Sequence, residues 1–186
     1  MSERKEEELL LEYLTIKGLE RIGKINDPVY LRRAKHEFDR MVEKKYCNYF
    51  LVVADFVAWS KSNGIRVGPG RGSVGASLIA FCIGITEVDP IEHELLFTRF
   101  LSPIRRDMPD ADLDFMDNRR DEVFQYLRDT YGKNHAAKVI TFSRFHPKGI
   151  LKDVGRIFNI PVSETSKVSS LVLERSGGDA RASFAL

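Results

Sequence analysis

The sequence has little of what marks several large classes of protein. Its 186 residues include only two cysteines, Cys47 and Cys82, whose wide spacing indicates neither a disulfide framework nor a zinc site. We expect two buried thiols in a reducing compartment. No apolar run approaches the ~20 residues that span a bilayer, and the charged, helical start MSERKEEELLLEYL is unlike a signal peptide. These absences predict a soluble intracellular protein with no membrane partner.

An excess of one charge sign is missing too. Lysine and arginine number 29 against 27 acidic residues, which leaves a net charge of +2. The overall field therefore does not mark a nucleic-acid binder, and any phosphate site must be built locally. The 43% of hydrophobic residues suits one globular domain with a core.

Apolar periodicity and turn signals predict an order of elements along the chain. Helices are expected over residues 3–23, 28–45, 48–64, 73–83, 117–131 and 148–160, and strands over 65–67, 108–115 and 138–143. We expect the first helix to bury a stripe of Leu9, Leu10, Leu14 and Ile16, and the second to bury Leu31, Phe38, Met41 and Val42. The succession of strand and helix favours an α/β (α+β) fold, a mixed sheet covered by helices behind a helical N-terminal lead-in.

The stretch MPDADLDF places aspartates at positions 110, 112 and 114. In a strand these three project to one side, and Ala111, Leu113 and Phe115 project into the core. Crowded carboxylates repel, and a hard divalent cation such as Mg²⁺ removes that cost. Asp114 is the one most suited to a structural ion pair, with Arg119 or Arg120.

Two other interpretations of the acidic stretch are weaker. An EF-hand loop starting at Asp110 needs glycine at its sixth position and glutamate at its twelfth, where this sequence has Phe115 and Asp121. A merely solvated acidic strand stays open from this motif alone.

The turn GPGRGS, residues 68–73, joins a predicted strand to a predicted helix. Its glycines allow backbone N–H groups to approach an anion, Arg71 adds positive charge, and Ser73 stands where a helix cap or a phosphate-contacting hydroxyl would lie. The Gly-Lys-Ser/Thr of a Walker A loop is absent. The turn could be only a tight connection, but with the acidic strand it forms a metal-plus-triphosphate pattern. Candidate phosphate partners are Arg99, Arg105 and Arg106.

Together the two motifs resemble a known family. The stretch from YFLVVADF through GPGRGS, ITEVDP and LLFTRFL, followed by MPDADLDF, RRDEV, KVITF and KDVGR, is similar to the palm of the bacterial replicative DNA polymerase III alpha subunit, the C family of DNA polymerases. The resemblance implies a polymerase beta-like nucleotidyltransferase palm. The resemblance covers residues 44–161. We accordingly expect two parts in the chain, a helical lead-in over 1–45 and an incomplete palm over 46–186.

The resemblance also assigns roles. Asp110 and Asp112 match the catalytic, metal-binding aspartates, and Asp114 matches a third acid that is not a usual ligand. Gly72 and Ser73 match the pair that holds the incoming nucleotide's phosphates, and Arg99 matches a basic residue facing the triphosphate. The implied reaction is two-metal (Mg²⁺) transfer from a dNTP to a primer 3′-hydroxyl.

Further implied partners are primer–template DNA, the remaining polymerase domains or chain and, through them, a sliding clamp and other replisome subunits. The expected location is the cytoplasm of a bacterial cell or a phage-infected host. The family's third catalytic carboxylate and its PHP, fingers, thumb and clamp-binding regions are expected outside this chain, so we expect the isolated chain to be inactive. The SRFHPKG segment at 143–149 also departs from the family pattern. A non-catalytic Mg–nucleotide binding module, or a nucleotidyltransferase with a non-DNA acceptor, are the alternatives.

Overall fold

A computed structural model describes residues 5–102, 108–142 and 145–172, in two compact units that divide after Ala137. The described part is predominantly helical. Its α-helices are α1 (Glu6–Arg21), α2 (Pro28–Glu43), α3 (Cys47–Ser62), α4 (Leu78–Cys82), α5 (Arg120–Tyr131), α6 (Pro147–Ile157) and α7 (Val162–Leu171). Short 3₁₀ turns lie at Val74–Ala76, Phe97–Arg99 and Asp117–Arg119.

Helix boundaries in the first unit follow local signals that the sequence contains. The Asp27 side chain caps α2 by accepting a hydrogen bond from the Val29 N–H at 2.9 Å, and Pro28 occupies the first turn. Gly132, with φ of 98°, ends α5. The predicted bounds of these helices therefore lie within a few residues of the observed ones.

The buried face of α1 differs from the predicted stripe. Its buried residues are Leu11, Thr15, Gly18 and Leu19. Leu9, Leu10 and Ile16 are instead exposed, so that prediction was wrong. The physical reason is Gly18, whose Cα lies so close to the Cys82 backbone that any Cβ would overlap it, which turns this side of α1 toward α4.

Helix α2 turns most of its predicted face inward, since Met41 is buried and Phe38 and Val42 pack partly buried against the core. Its buried residues are Tyr30, Ala34, Glu37 and Met41, whereas the predicted Leu31 is 42% exposed. A charged residue takes an inward position because the N-terminal N–H groups of α4 meet it there. Helices α1 to α4 supply residues to the buried core, in two clusters. The division at residues 45 and 46 stays a prediction, but both sides of it contribute to that core.

The predicted mixed-sheet palm is wrong for the residues that the structure describes. The acidic segment makes only two isolated antiparallel bridges, Val67 with Phe115 and Arg71 with Asp112. Gly70 and Gly72, at φ of 96° and 65°, depart from strand geometry, so the pairing does not extend into a ladder. Helix, not strand, is the regular structure of the described ranges.

The segment KVITFS, like the segments predicted as strands over 65–67 and 108–115, is not a strand over its described residues 138–142. These residues have no regular secondary structure, and Val139 and Phe142 are 91% and 95% exposed. Alternating apolar residues favour a strand only where a partner supplies hydrogen bonds and a buried face. Residues 143 and 144 lie outside the described ranges.

Two smaller differences concern helices, and the predicted burial of the two thiols is confirmed. The predicted helix over 73–83 is divided into the 3₁₀ turn at Val74–Ala76 and α4, because the side chain of Ser77 caps a new start by accepting from the Ala80 N–H at 3.1 Å. Helix α7 was not predicted, since its sequence is polar and rich in serine. Cys47 and Cys82 are free and buried, as predicted. Burial raises the pKa of Cys47 to about 11 and that of Cys82 to about 12.

In the second unit, the described residues 145–172 form a helical hairpin. Helices α6 and α7 pack closely where Gly155 meets Thr165, since a Cβ at Gly155 would overlap the Thr165 side chain. Within the described ranges, no helix has the length and apolar character needed to cross a membrane.

Candidate active site

The acidic segment lies with one side against the core. Ala111, Leu113 and Phe115 pack on the main hydrophobic cluster. Asp110 is exposed and Asp112 is half-buried. The alternation predicted from the sequence therefore holds locally, although the segment makes only two isolated bridges and no strand.

The glycine turn lies directly beside this segment. The Gly68 N–H donates to the Asp114 carbonyl at 2.8 Å, and the Arg71 N–H donates to the Asp112 carbonyl at 3.3 Å. At Gly72 a Cβ would overlap Asp112 Oδ2. Only a residue without a side chain permits this approach, so the backbone of the turn and the Asp112 carboxylate are in contact.

Two cavities share Ser73 and Arg99. One, of about 130 Å³, is lined by Ser73, Arg99, Phe100, Leu101, Ser102, Met108, Pro109 and Asp110. The other, of about 460 Å³, is lined by Gly72, Ser73, Ala76, Glu94, Leu95, Leu96 and Arg99. The fold therefore gathers a hydroxyl, a guanidinium and an acidic side chain at one surface depression, although they lie up to 37 positions apart in the chain.

Asp114 has a partner that the sequence did not predict. Its carboxylate pairs with Arg71 Nε at 3.3 Å, and both side chains are 65% exposed. Arg119 instead donates to Glu122 at 2.7 Å and to the Asn63 carbonyl at 3.0 Å. The Arg71 pair is exposed enough to exchange partners. Arg105 and Arg106 lie outside the described residues.

The residues present fit a hard cation with a phosphate ligand. Mg²⁺ prefers one or two carboxylates completed by water and phosphate oxygens; the Asp110 carboxylate lines the smaller cavity and that of Asp112 contacts Gly72 beside it. Among the described residues, no group of three or more His, Cys, Asp or Glu side chains is placed to hold a metal without other ligands. Ser73 does not use its side chain to cap the 3₁₀ turn that follows it, so that hydroxyl can serve a ligand.

Sequence reasoning missed the aromatic surroundings of the aspartates. Tyr49 of α3 lies beside Asp110 and hydrogen-bonds the Ala111 backbone; burial raises the pKa of Tyr49, and the Asp110 charge adds to the rise. A cavity of about 390 Å³ opens on this side, with Tyr49, Asp110 and Tyr131 among its lining residues. Tyr131 in turn donates to Asp55 at 2.9 Å. The aromatic content of α3 was the available signal.

Comparison with known proteins gives a consistent match. A family model described as the bacterial DNA polymerase III alpha NTPase domain matches residues 9–185. The chain belongs to this family. DNA polymerase III subunit alpha of Ureaplasma parvum is 47% identical over 163 residues, 86% of this chain and 17% of that protein. The Bacillus subtilis subunit is 47% identical over 170 residues, 89% of this chain and 15% of that protein.

A third relative shows that identity rises over a shorter region. The subunit of Saccharopolyspora erythraea is 54% identical over 127 residues, 68% of this chain and 11% of that protein. The chain therefore spans less than a fifth of the length of these polymerase III alpha relatives.

Proposed function

We propose that this chain is the part of a replicative DNA-directed DNA polymerase that holds the incoming dNTP and two of the metal-binding carboxylates. The observation that carries the proposal is the shared depression. Ser73, Arg99 and Asp110 line one cavity, and the Asp112 carboxylate touches Gly72 beside it. Family membership supports DNA replication as the setting.

Each side chain has a task in this proposal. Gly72 presents its backbone, and Ser73 its hydroxyl, to phosphate oxygens. Arg99 supplies a guanidinium, and Arg71 supplies a second when it leaves Asp114, because charge-assisted hydrogen bonds to phosphate are stronger than an exposed ion pair. Asp110 and Asp112 would hold Mg²⁺ between themselves and the triphosphate.

When bound, two Mg²⁺ ions would supply the positive charge that activates a primer 3′-hydroxyl and offsets charge on the leaving pyrophosphate. The chain's own contribution is positioning and charge stabilisation. Ser73 and Arg99 fix the triphosphate, while the core contacts of Ala111 and Leu113 hold the adjacent Asp110 and Asp112 in place.

The other components are proposed from family membership. They are primer–template DNA, the remaining polymerase domains with a third carboxylate and, through these, a sliding clamp and other replisome subunits in a bacterial cytoplasm. We expect the chain by itself to bind Mg²⁺–dNTP without turnover.

Two measurements test the proposal. Equilibrium binding of dATP to the 186-residue chain, with and without Mg²⁺, is expected to show Mg²⁺-dependent affinity; no binding contradicts the proposal. For turnover, the chain replaces the matching segment of the Bacillus subtilis alpha subunit, with the parent subunit as control. We expect template-dependent dNTP incorporation. Binding without incorporation favours a Mg–nucleotide binding module, and incorporation without a template favours a non-DNA acceptor.

A further inference from the structure

A buried ion pair on α2 lies behind the candidate active site. Glu37 is fully buried, and its Oε1 accepts from Arg33 Nε at 2.6 Å. The Arg33 side chain is 21% exposed. A buried charge pair is costly unless each partner is fully hydrogen-bonded, so the further contacts of both side chains decide what the pair does.

The Glu37 carboxylate is occupied by donors of the segment that follows the glycine turn. It accepts from the Ser77 hydroxyl at 2.8 Å, the Leu78 N–H at 3.0 Å and the Ile79 N–H at 3.1 Å. Burial raises the pKa of Glu37, and the N–H groups of Leu78 and Ile79, with Arg33, oppose that rise. All four neighbours donate, which is the arrangement that an ionised carboxylate satisfies.

Arg33 contacts both walls of the larger cavity. Its Nη2 donates to the Ala76 carbonyl at 2.7 Å and to the Leu95 carbonyl at 2.9 Å. Ala76 lies three residues after Ser73, and Leu95 lies four residues before Arg99; both line the cavity that Ser73 and Arg99 share. One nitrogen thus joins the segment that carries the hydroxyl to the segment that carries the guanidinium.

Ring contacts add a second link between α2 and the turn that bears Arg99. The Arg33 guanidinium lies 5.9 Å from the centroid of Phe97, which is buried in the Phe97–Arg99 turn. His36, one turn along α2, meets the same ring edge-on at 6.0 Å. The position of this turn is therefore set by contacts with α2 as well as by the residues next to it in sequence.

We propose that Arg33, held by Glu37, is a positioning residue that fixes the separation of Ser73 and Arg99 for a nucleoside triphosphate. The inference rests on the proposed function for the identity of the ligand, whereas the positioning of the two segments by Arg33 rests on the contacts alone. A lysine at position 33 keeps the charge but lacks the planar fork, so it cannot hold Glu37, Ala76 and Leu95 together.

The first arm of the test follows backbone hydrogen exchange in the full chain without nucleotide. Arg33→Lys is compared with Arg40→Lys, whose partner Glu43 lies 2.7 Å away on the exposed side of the same helix. We expect Arg33→Lys, and not Arg40→Lys, to speed exchange at residues 74–80 and 95–101 while α1 and α3 keep wild-type protection. Unchanged exchange at both segments overturns the proposal. Uniformly faster exchange also overturns it, because the lysine at position 33 then weakens the fold in general and does not release these two segments in particular.

The second arm measures the Kd of Mg²⁺–dATP for the same proteins. We expect Arg33→Lys to raise this Kd about tenfold, the effect of losing a hydrogen-bonded geometry, and Arg40→Lys to leave it unchanged. Glu37→Gln tests the support of Arg33 and should shift the Kd in the same direction. If Asp112→Asn weakens binding but Arg33→Lys does not, the positioning proposal fails and the proposed function stands. If the wild-type chain does not bind Mg²⁺–dATP, the proposed function fails. The hydrogen-exchange measurement then still tests whether Arg33 positions the two segments.

Discussion

Arg33 and Arg71 both pair with a carboxylate beside the candidate active site, but one pair is buried and the other is exposed. Arg33 and Glu37 meet at 2.6 Å, with the carboxylate fully buried and both partners bonded to backbone. Arg71 and Asp114 meet at 3.3 Å with both side chains 65% exposed. The buried pair can only hold a structure, whereas water and ligands can replace the exposed one. The Arg33–Glu37 pair thus acts as a fixed frame that joins α2 to the segments lining the cavity. The Arg71 guanidinium, in contrast, can exchange its partner for water or a ligand.

The largest effect is expected where neither pair acts. Asp112→Asn removes a carboxylate that touches the glycine turn, and we expect it to lower incorporation by the Bacillus subtilis chimera at least about a thousandfold, since metal-held charge is worth several kcal/mol. The chain should fold as before, because the change keeps the shape of the side chain. Thermal unfolding provides the control, and retained turnover would remove Asp112 from the site.

The buried pair should dominate stability. Glu37→Ala leaves Arg33 without its counter-charge, and the buried groups that donate to Glu37 lose their acceptor. We therefore expect a loss of about 3–5 kcal/mol in the free energy of unfolding. Glu43→Ala, which breaks the exposed pair with Arg40, should cost no more than about 1 kcal/mol. Urea unfolding of both variants checks this, and equal losses would contradict the contrast between the pairs.

Ser73→Ala should affect the ligand more than the fold. The hydroxyl does not cap the 3₁₀ turn that follows it, so we expect wild-type stability with Mg²⁺–dATP binding weaker by about 1–3 kcal/mol, the range for a hydrogen bond to a charged group. Ser77→Ala is the matched comparison, because its hydroxyl caps α4 and donates to Glu37. That variant should lose stability instead. Unchanged dATP affinity in Ser73→Ala would count against its role.

The smallest effect on folding is expected for the exposed pair. Arg71→Gln should change the free energy of unfolding by less than about 1 kcal/mol, because exposed ion pairs contribute little. It should weaken dATP binding and make the affinity less dependent on salt, since one charge facing the phosphates is lost. A stability loss as large as that of Glu37→Ala would show that the exposed pair is also part of the frame.

The bounds of several helices and the apolar side of the acidic segment could be predicted from the sequence because their signals are local. Asp27 before Pro28 marks the start of α2, Gly132 ends α5, and the alternation around Asp112 indicates an apolar side that does pack on the core. The roles of Asp110, Asp112, Gly72, Ser73, Arg71 and Arg99 stay predictions, although the fold brings the two segments together.

The predicted mixed sheet was wrong for the described residues, because strand formation depends on partners that a single segment does not contain. Val139 and Phe142 have a strand-like pattern, yet both are almost fully exposed. The other pairing stops at two isolated bridges, because Gly70 and Gly72 have positive φ angles that a regular strand does not adopt.

The buried pair of Arg33 and Glu37 was missed because its local sequence indicates a surface pair. An arginine and a glutamate four residues apart on a helix usually form a solvated surface pair. Groups far away in the sequence turn this one into a buried network: the Ser77 hydroxyl, the Leu78 and Ile79 N–H groups, and the Ala76 and Leu95 carbonyls.

The most direct test of the account is a crystal structure of the chain with dATP and Mn²⁺, which replaces Mg²⁺ and scatters anomalously. The account predicts an anomalous peak bound by Asp110 and Asp112, with the triphosphate against Gly72, Ser73 and Arg99. A triphosphate bound elsewhere, or a metal peak away from both aspartates, would contradict it.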